Sequence, residues 1–93
     1  MGYTFEWSER KAESNFRKHG VSFEEASTVF ADPLSLLMPD PDHSLGEERY
    51  IVLGMSMRRR LAVVSFAERP PRTRLISARL ATRHEWKLYE EET

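Results

Sequence analysis

Cysteine is absent from this chain of 93 residues, so disulfides and thiol chemistry are excluded, which agrees with a cytoplasmic home. No apolar run approaches the ~20 residues of a membrane-spanning helix, and the opening MGYTFEWSERK lacks the apolar centre of a signal peptide. Among the motifs that carry chemistry there is no Walker loop, no GxGxxG, no HExxH, no nucleophile elbow and no EF-hand. The histidines His19, His43 and His84 show no metal-ligand spacing. The acidic residues Asp40, Asp42, Glu47 and Glu48 read as a solvated loop or a surface for a basic partner, so no metal or other cofactor is expected. Net charge is only −1, which argues against a bulk polycation and against direct DNA binding by this chain.

Enough apolar content remains, 40%, for one small core, and the whole of 1–93 reads as a single soluble domain. Charge is unevenly spread. Residues 1–48 hold 4 Lys/Arg against 10 Asp/Glu, whereas residues 49–89 hold 10 against 2. A basic second half is compatible with an anion site and equally with ordinary solvation.

The clearest local signals lie in Thr73–Glu85, TRLISARLATRHE. Period-two alternation predicts a strand, with Arg74, Ile76, Ala78 and Leu80 on one face and Leu75, Ser77 and Arg79 on the other. Thr82 and Glu85 form a capping box that starts a helix through about Tyr89. Earlier, Tyr3–Trp7 reads as an aromatic strand, and Ser8 caps a helix over Glu9–His19 that stops at Gly20. Ala12 and Phe16 are its expected buried stripe, with Asn15 beside it. Ser22 and Glu25 form a second capping box for a helix ended by Asp32-Pro33. Leu34–Met38, Arg49–Ser56 and Leu61–Ala67 read as strands. Met57–Arg60 is a basic hairpin turn, and Glu68–Arg72 a proline-broken one. The order β-α-α-β-β-β-β-α, with short turns between successive strands, predicts an α+β fold. An antiparallel sheet carries two N-terminal helices and one C-terminal helix, gathered on one face.

What remains for chemistry is a set of cations and imidazoles: Lys11, Lys18, His19, Arg58, Arg59, Arg60, Arg79, Arg83 and His84. Such a set suits RNA, which brings its own nucleophile, the 2′-OH. Arginine spreads positive charge over phosphate oxygens, and histidine moves protons near neutral pH. Plainer roles compete. His19 can serve the helix C-terminal carbonyls, Arg58–Arg60 can be a solvated tip, Arg79 can pair with a carboxylate, and Trp7 and Trp86 can be core anchors.

FEW at Phe5–Trp7, Lys11, Asn15, KHGVSFEEA at Lys18–Ala26, Asp32-Pro33, PDPDHSLGEER at Pro39–Arg49 and ISARLATRHE at Ile76–Glu85 together resemble the BrnT toxins, the ribonuclease half of a type II toxin–antitoxin pair. Ser8 departs from the expected Asp, and both cap helices well. The resemblance implies a RelE-like fold, RNA cleavage without metal and translation arrest. It also implies neutralisation by a BrnA-like ribbon-helix-helix antitoxin in a heterotetramer, with DNA touched only through that antitoxin and no membrane. It carries over Lys11, Lys18, His19, Arg79 and Glu85 as matching positions; Arg60 and Arg83 are added from charge and placement. The expected roles are Arg79 and Arg60 on the phosphorane, His19 or Lys11 in proton transfer, and Lys18, Arg58, Arg59 and Arg83 on flanking RNA, with Glu85 a cap rather than a base. The alternative is a catalytically weak binding module that acts as antitoxin partner and operon co-repressor.

Overall fold

In the computed structural model, which describes residues 3–41 and 47–92, the last of the described strands is inserted into the sheet and not added at its edge. The elements are β1 (Phe5–Glu6), α1 (Glu9–His19), α2 (Phe23–Thr28), a 3₁₀ turn (Val29–Ala31), β2 (Leu36–Pro39), β3 (Glu48–Met55), β4 (Leu61–Arg69), β5 (Arg72–Leu80) and α3 (Arg83–Glu92). The five strands lie in the order β1-β5-β4-β3-β2. The sheet is mixed, which corrects the expected antiparallel one: β1 runs parallel to β5, Phe5 facing Thr73 and Glu6 facing Arg74. Short turns dictate antiparallel pairing only between strands adjacent in sequence, and no turn joins β1 to β5. Asp42 and His43 lie outside the described residues.

Helices cover both faces, not one. Strand β4 alternates strictly. Ala62, Val64 and Phe66 join Val21, Phe23, Ala26, Val29, Leu75 and Ala78 beneath α1 and α2. Leu61 and Val63 join Leu53 and Tyr89 beneath α3. A half-buried sheet with apolar residues on both sides must be covered twice. Each fully buried Phe, Leu or Val, such as Phe23, Leu53 or Val64, contributes about 1.5–3 kcal/mol.

Strand β5 breaks its own alternation. Ser77 faces Ser65 but Leu75 faces Phe66, so one extra residue bulges out at Ile76. Leu75 and Ala78, read as opposite faces, therefore both enter the core under α1 and α2. The turn before it is tighter than read. Pairing runs to Arg69 and Arg72, leaving only Pro70 and Pro71, whose shared peptide bond is cis.

Capping chemistry sets the helices. Ser8 accepts from Lys11 N–H, and Gly20 closes α1 in the left-handed region at φ 70°, its N–H donating to Phe16 O at 2.8 Å. The buried stripe of α1 is only partly the one expected: Ala12 packs against the core as read, and Phe16 does not. Phe16 is 54% exposed, and it is Asn15 that is buried. Its amide NH₂ donates to Val21 O and Ala78 O, both at 2.9 Å, and its oxygen accepts from Ala78 N–H at 3.0 Å. One side chain thereby does for β5, past the bulge, what the two-residue β1 does before it.

Asp32 ends the second helix as expected and does more. Its Oδ1 accepts from Leu34 N–H at 2.9 Å, a turn that keeps Leu34 out of β2. Its Oδ2 accepts from Met55 N–H at 2.8 Å and from the Tyr89 hydroxyl at 2.6 Å, which ties the 3₁₀ turn, the end of β3 and α3 together. Gly54 sits against this joint. A Cβ there would lie 2.9 Å from both Ser35 Cβ and Val29 Cγ1.

Candidate active site

Helix α1 presents two unlike flanks on either side of the stripe that meets the sheet. At about 100° per residue, Lys11, Ser14 and Lys18 share one flank, and Glu9, Glu13 and Phe16 share the other. The first flank overhangs the edge of β5 at its bulge. There Lys11, Ser14, Lys18 and His19, with Asn15, Ile76 and Ser77, line a groove of about 190 Å³. The structure thus brings together three residues singled out from sequence, Lys11, Lys18 and His19. Ser14 was missed, although its helical spacing between the lysines could have found it. Ser77 lines the groove from β5 beside the bulge at Ile76, for which the sequence holds no plain signal.

Arg79 does not line this groove. It pairs with Val63, so it lies on the α3 face, two residues or roughly 7 Å along the strand from Ser77. Its guanidinium grips Glu85 in a two-pronged ion pair, Nη1–Oε1 and Nη2–Oε2 both 2.9 Å. Glu85 also completes its capping box: it accepts from Thr82 N–H at 2.8 Å and donates its own N–H to Thr82 Oγ1 at 3.2 Å. The Arg79 hydrogen bond outweighs partial burial and holds the Glu85 carboxyl down at about 2. Arg83 and His84 stand exposed in the first turn of α3.

The basic tip is anchored rather than free. Arg60 donates from Nε to Glu25 Oε2 at 3.0 Å, and its Nη2 reaches both Glu25 Oε1 at 2.5 Å and Gly20 O at 2.9 Å. Glu25 is 3% exposed at its side chain and also accepts from the Ser56 hydroxyl at 2.7 Å. The Arg60 bond, opposed by desolvation, keeps the Glu25 carboxyl below its ordinary value and raises that of Arg60. The capping box read at Ser22 is therefore half made: Ser22 accepts from Glu25 N–H at 3.0 Å, but the Glu25 carboxylate goes to Arg60, a stronger charged donor. Because Gly20 follows His19 directly, the Arg60 fork fixes the end of α1 that carries the imidazole. Arg58 lies at the edge of this cluster, 3.7 Å from Glu25. Arg59 occupies the tip with φ 62°, left-handed for a residue other than glycine.

Among the described residues no group of three or more His, Asp or Glu side chains gathers as a metal site, and no helix is long and apolar enough to cross a membrane.

A small α+β domain whose first helix holds lysines and an imidazole over a sheet edge defines a class with a cationic cleft, suited to a phosphodiester. The family model for the ribonuclease toxin BrnT of type II toxin–antitoxin systems matches residues 7–85, and the chain belongs to that family. Among solved structures, the chain is similar to the Brucella abortus ribonuclease toxin BrnT, with 20% identity, a TM-score of 0.68, and coverage of 87% of this chain and 99% of that one. No curated protein sequence matches it.

Proposed function

We infer that this chain is an endoribonuclease that cuts RNA without a metal ion, arrests translation in the cytoplasm, and is neutralised by a BrnA-like ribbon-helix-helix antitoxin. The observation that carries this reading is the groove in which Lys11, Lys18 and His19 of α1 meet the bulged edge of β5. Membership of the ribonuclease toxin family supports it. The element order supports a RelE-like kinship for the fold.

In this reading the ribose 2′-OH attacks the adjacent phosphorus while the 5′-oxygen leaves, giving a 2′,3′-cyclic phosphate and a 5′-OH end. His19 or Lys11 relays the proton lost by the 2′-OH and the proton gained by the leaving oxygen. Lys18 holds a flanking phosphate. Arg79 supplies charge to the crowded phosphorane from the neighbouring face, and RNA competes with Glu85 for its fork. Arg58, Arg59 and Arg83 bind the strand beyond the cut. Arg60, whose fork is taken by Glu25 and Gly20, acts through the position of His19. The complex with antitoxin, read as a heterotetramer, meets DNA only through the antitoxin.

A second reading, a binding module with little catalysis, draws on one observation: both Arg60 and Arg79 are already matched to carboxylates. The deciding experiment incubates wild type, Lys11→Ala and Arg79→Ala with single-stranded RNA in excess EDTA. Metal-independent cleavage that falls about 10²-fold in Arg79→Ala is the expected result. Cleavage lost on chelation, or unchanged in both variants, overturns the site. Intact RNA in every sample, with no growth arrest on expression, favours the binding module.

A further inference from the structure

The other flank of α1 borders a larger cavity, of about 640 Å³, between α1 and α2. Ala12 and the half-exposed Phe16 give it an apolar floor, with Phe23 buried behind them, and Glu9, Glu13 and Glu24 line it against one cation, Arg17. A half-exposed phenylalanine alone needs no explanation. Here the ring lies inside a concave, net-acidic groove, on the side of α1 turned away from the lysines that face RNA in the proposed function.

We propose that this groove receives a basic amphipathic helix from a protein partner. Three features of the groove select that occupant. The lining carboxylates repel a polyanion, so RNA does not enter. The walls are helices and not a strand edge, so an extended segment finds no ladder of main-chain partners to pair with, whereas a helix needs only its side chains. The floor takes apolar anchors at helical spacing while the carboxylates meet Lys or Arg on the flank of the incoming helix. A second copy of this chain fits poorly. Its basic α1 flank, Lys11, Ser14 and Lys18, carries no apolar anchor, and α3 ends on Glu90, Glu91 and Glu92. Identification of this partner as the antitoxin rests on the toxin–antitoxin reading above; the groove's preference does not.

The test uses two synthetic helical peptides with leucines at i, i+3, i+4 and i+7, one with lysine flanks and one with glutamate flanks. Binding is followed by fluorescence anisotropy against wild type, Phe16→Glu and the double variant Glu13→Lys/Glu24→Lys, all exposed positions. The lysine peptide is expected to bind wild type and to weaken at least tenfold in each variant, while the glutamate peptide does not bind. RNA cleavage is expected to be the same in all three proteins and unaffected by saturating peptide. Equal binding of both peptides, or binding indifferent to the substitutions, overturns the proposal. So does a concentration-dependent dimer of wild type that Phe16→Glu abolishes, which would give the groove to a second copy. Peptide binding as expected beside uncut RNA would support the groove and remove the ribonuclease reading instead.

Discussion

Glu25 and Arg60 show at the level of single residues how a pair can matter more when broken than when removed. Replacing Arg60 by alanine leaves a buried carboxylate with Ser56 as its main neutral partner, and a loss of about 3 kcal/mol is expected by urea denaturation. Glu25→Ala should cost about as much, whereas a double apolar replacement, Glu25→Met with Arg60→Met, should cost less than either alone, ~1–2 kcal/mol. Arg79 and Glu85 form a second pair, with Arg79 43% exposed at its side chain. Because Glu85 is held at about 2, below its ordinary 4.5, its stabilisation is whole above pH 4.5 and fades as pH falls toward 2. Solvent screening limits that share to about 1 kcal/mol. Stability curves of wild type and Glu85→Gln should therefore converge across that window and stay parallel above it.

Among the elements, α3 is tied to the 3₁₀ turn and β3 through one phenol. Burial first, and then the bond to Asp32, push the Tyr89 hydroxyl up to about 12. A raised phenol stabilises the fold fully below its ordinary 10 and loses that contribution as pH rises to about 12. Tyr89→Phe is expected to remove the last tyrosinate step from an absorbance titration. It should also lower stability by about 1–2 kcal/mol, with faster amide exchange in α3. Where the chain dictates structure locally, the sequence was readable: Ser8 and Gly20 bound α1, Thr82 and Glu85 start α3, and Lys11, Lys18 and His19 announce a cationic helix side. Where structure depends on partners far along the chain, it was not. Asn15 bonds to Ala78 63 residues away, and Glu25 turns from its own helix end to Arg60, 35 residues on. A polar Asn beside an apolar stripe was a usable hint. The bulge at Ile76 shows only in the register between β4 and β5 and left no mark in the alternation. Gly54→Ala tests the joint these elements share: its Cβ would press on Ser35 and Val29, and a loss of about 1–3 kcal/mol is expected.

For the molecule as a whole, α1 works as a partition, with cations over the β5 edge and carboxylates over the α2 groove. RNA binding should therefore weaken steeply with salt, and the slope should fall by about one for each of Lys11 or Lys18 replaced by alanine. The place of β5 has a consequence of a different kind. Of the described strands β5 comes last in the chain, yet it is inserted between β1 and β4, and Asn15 finds Ala78 only once it is made. A stop or frameshift at any codon before Thr73 therefore yields a product with neither a paired β1 nor an edge for the lysines to face. In genetic terms, most of the codons of this chain are targets for silencing the toxin outright, and alleles truncated there should be harmless, not half-active.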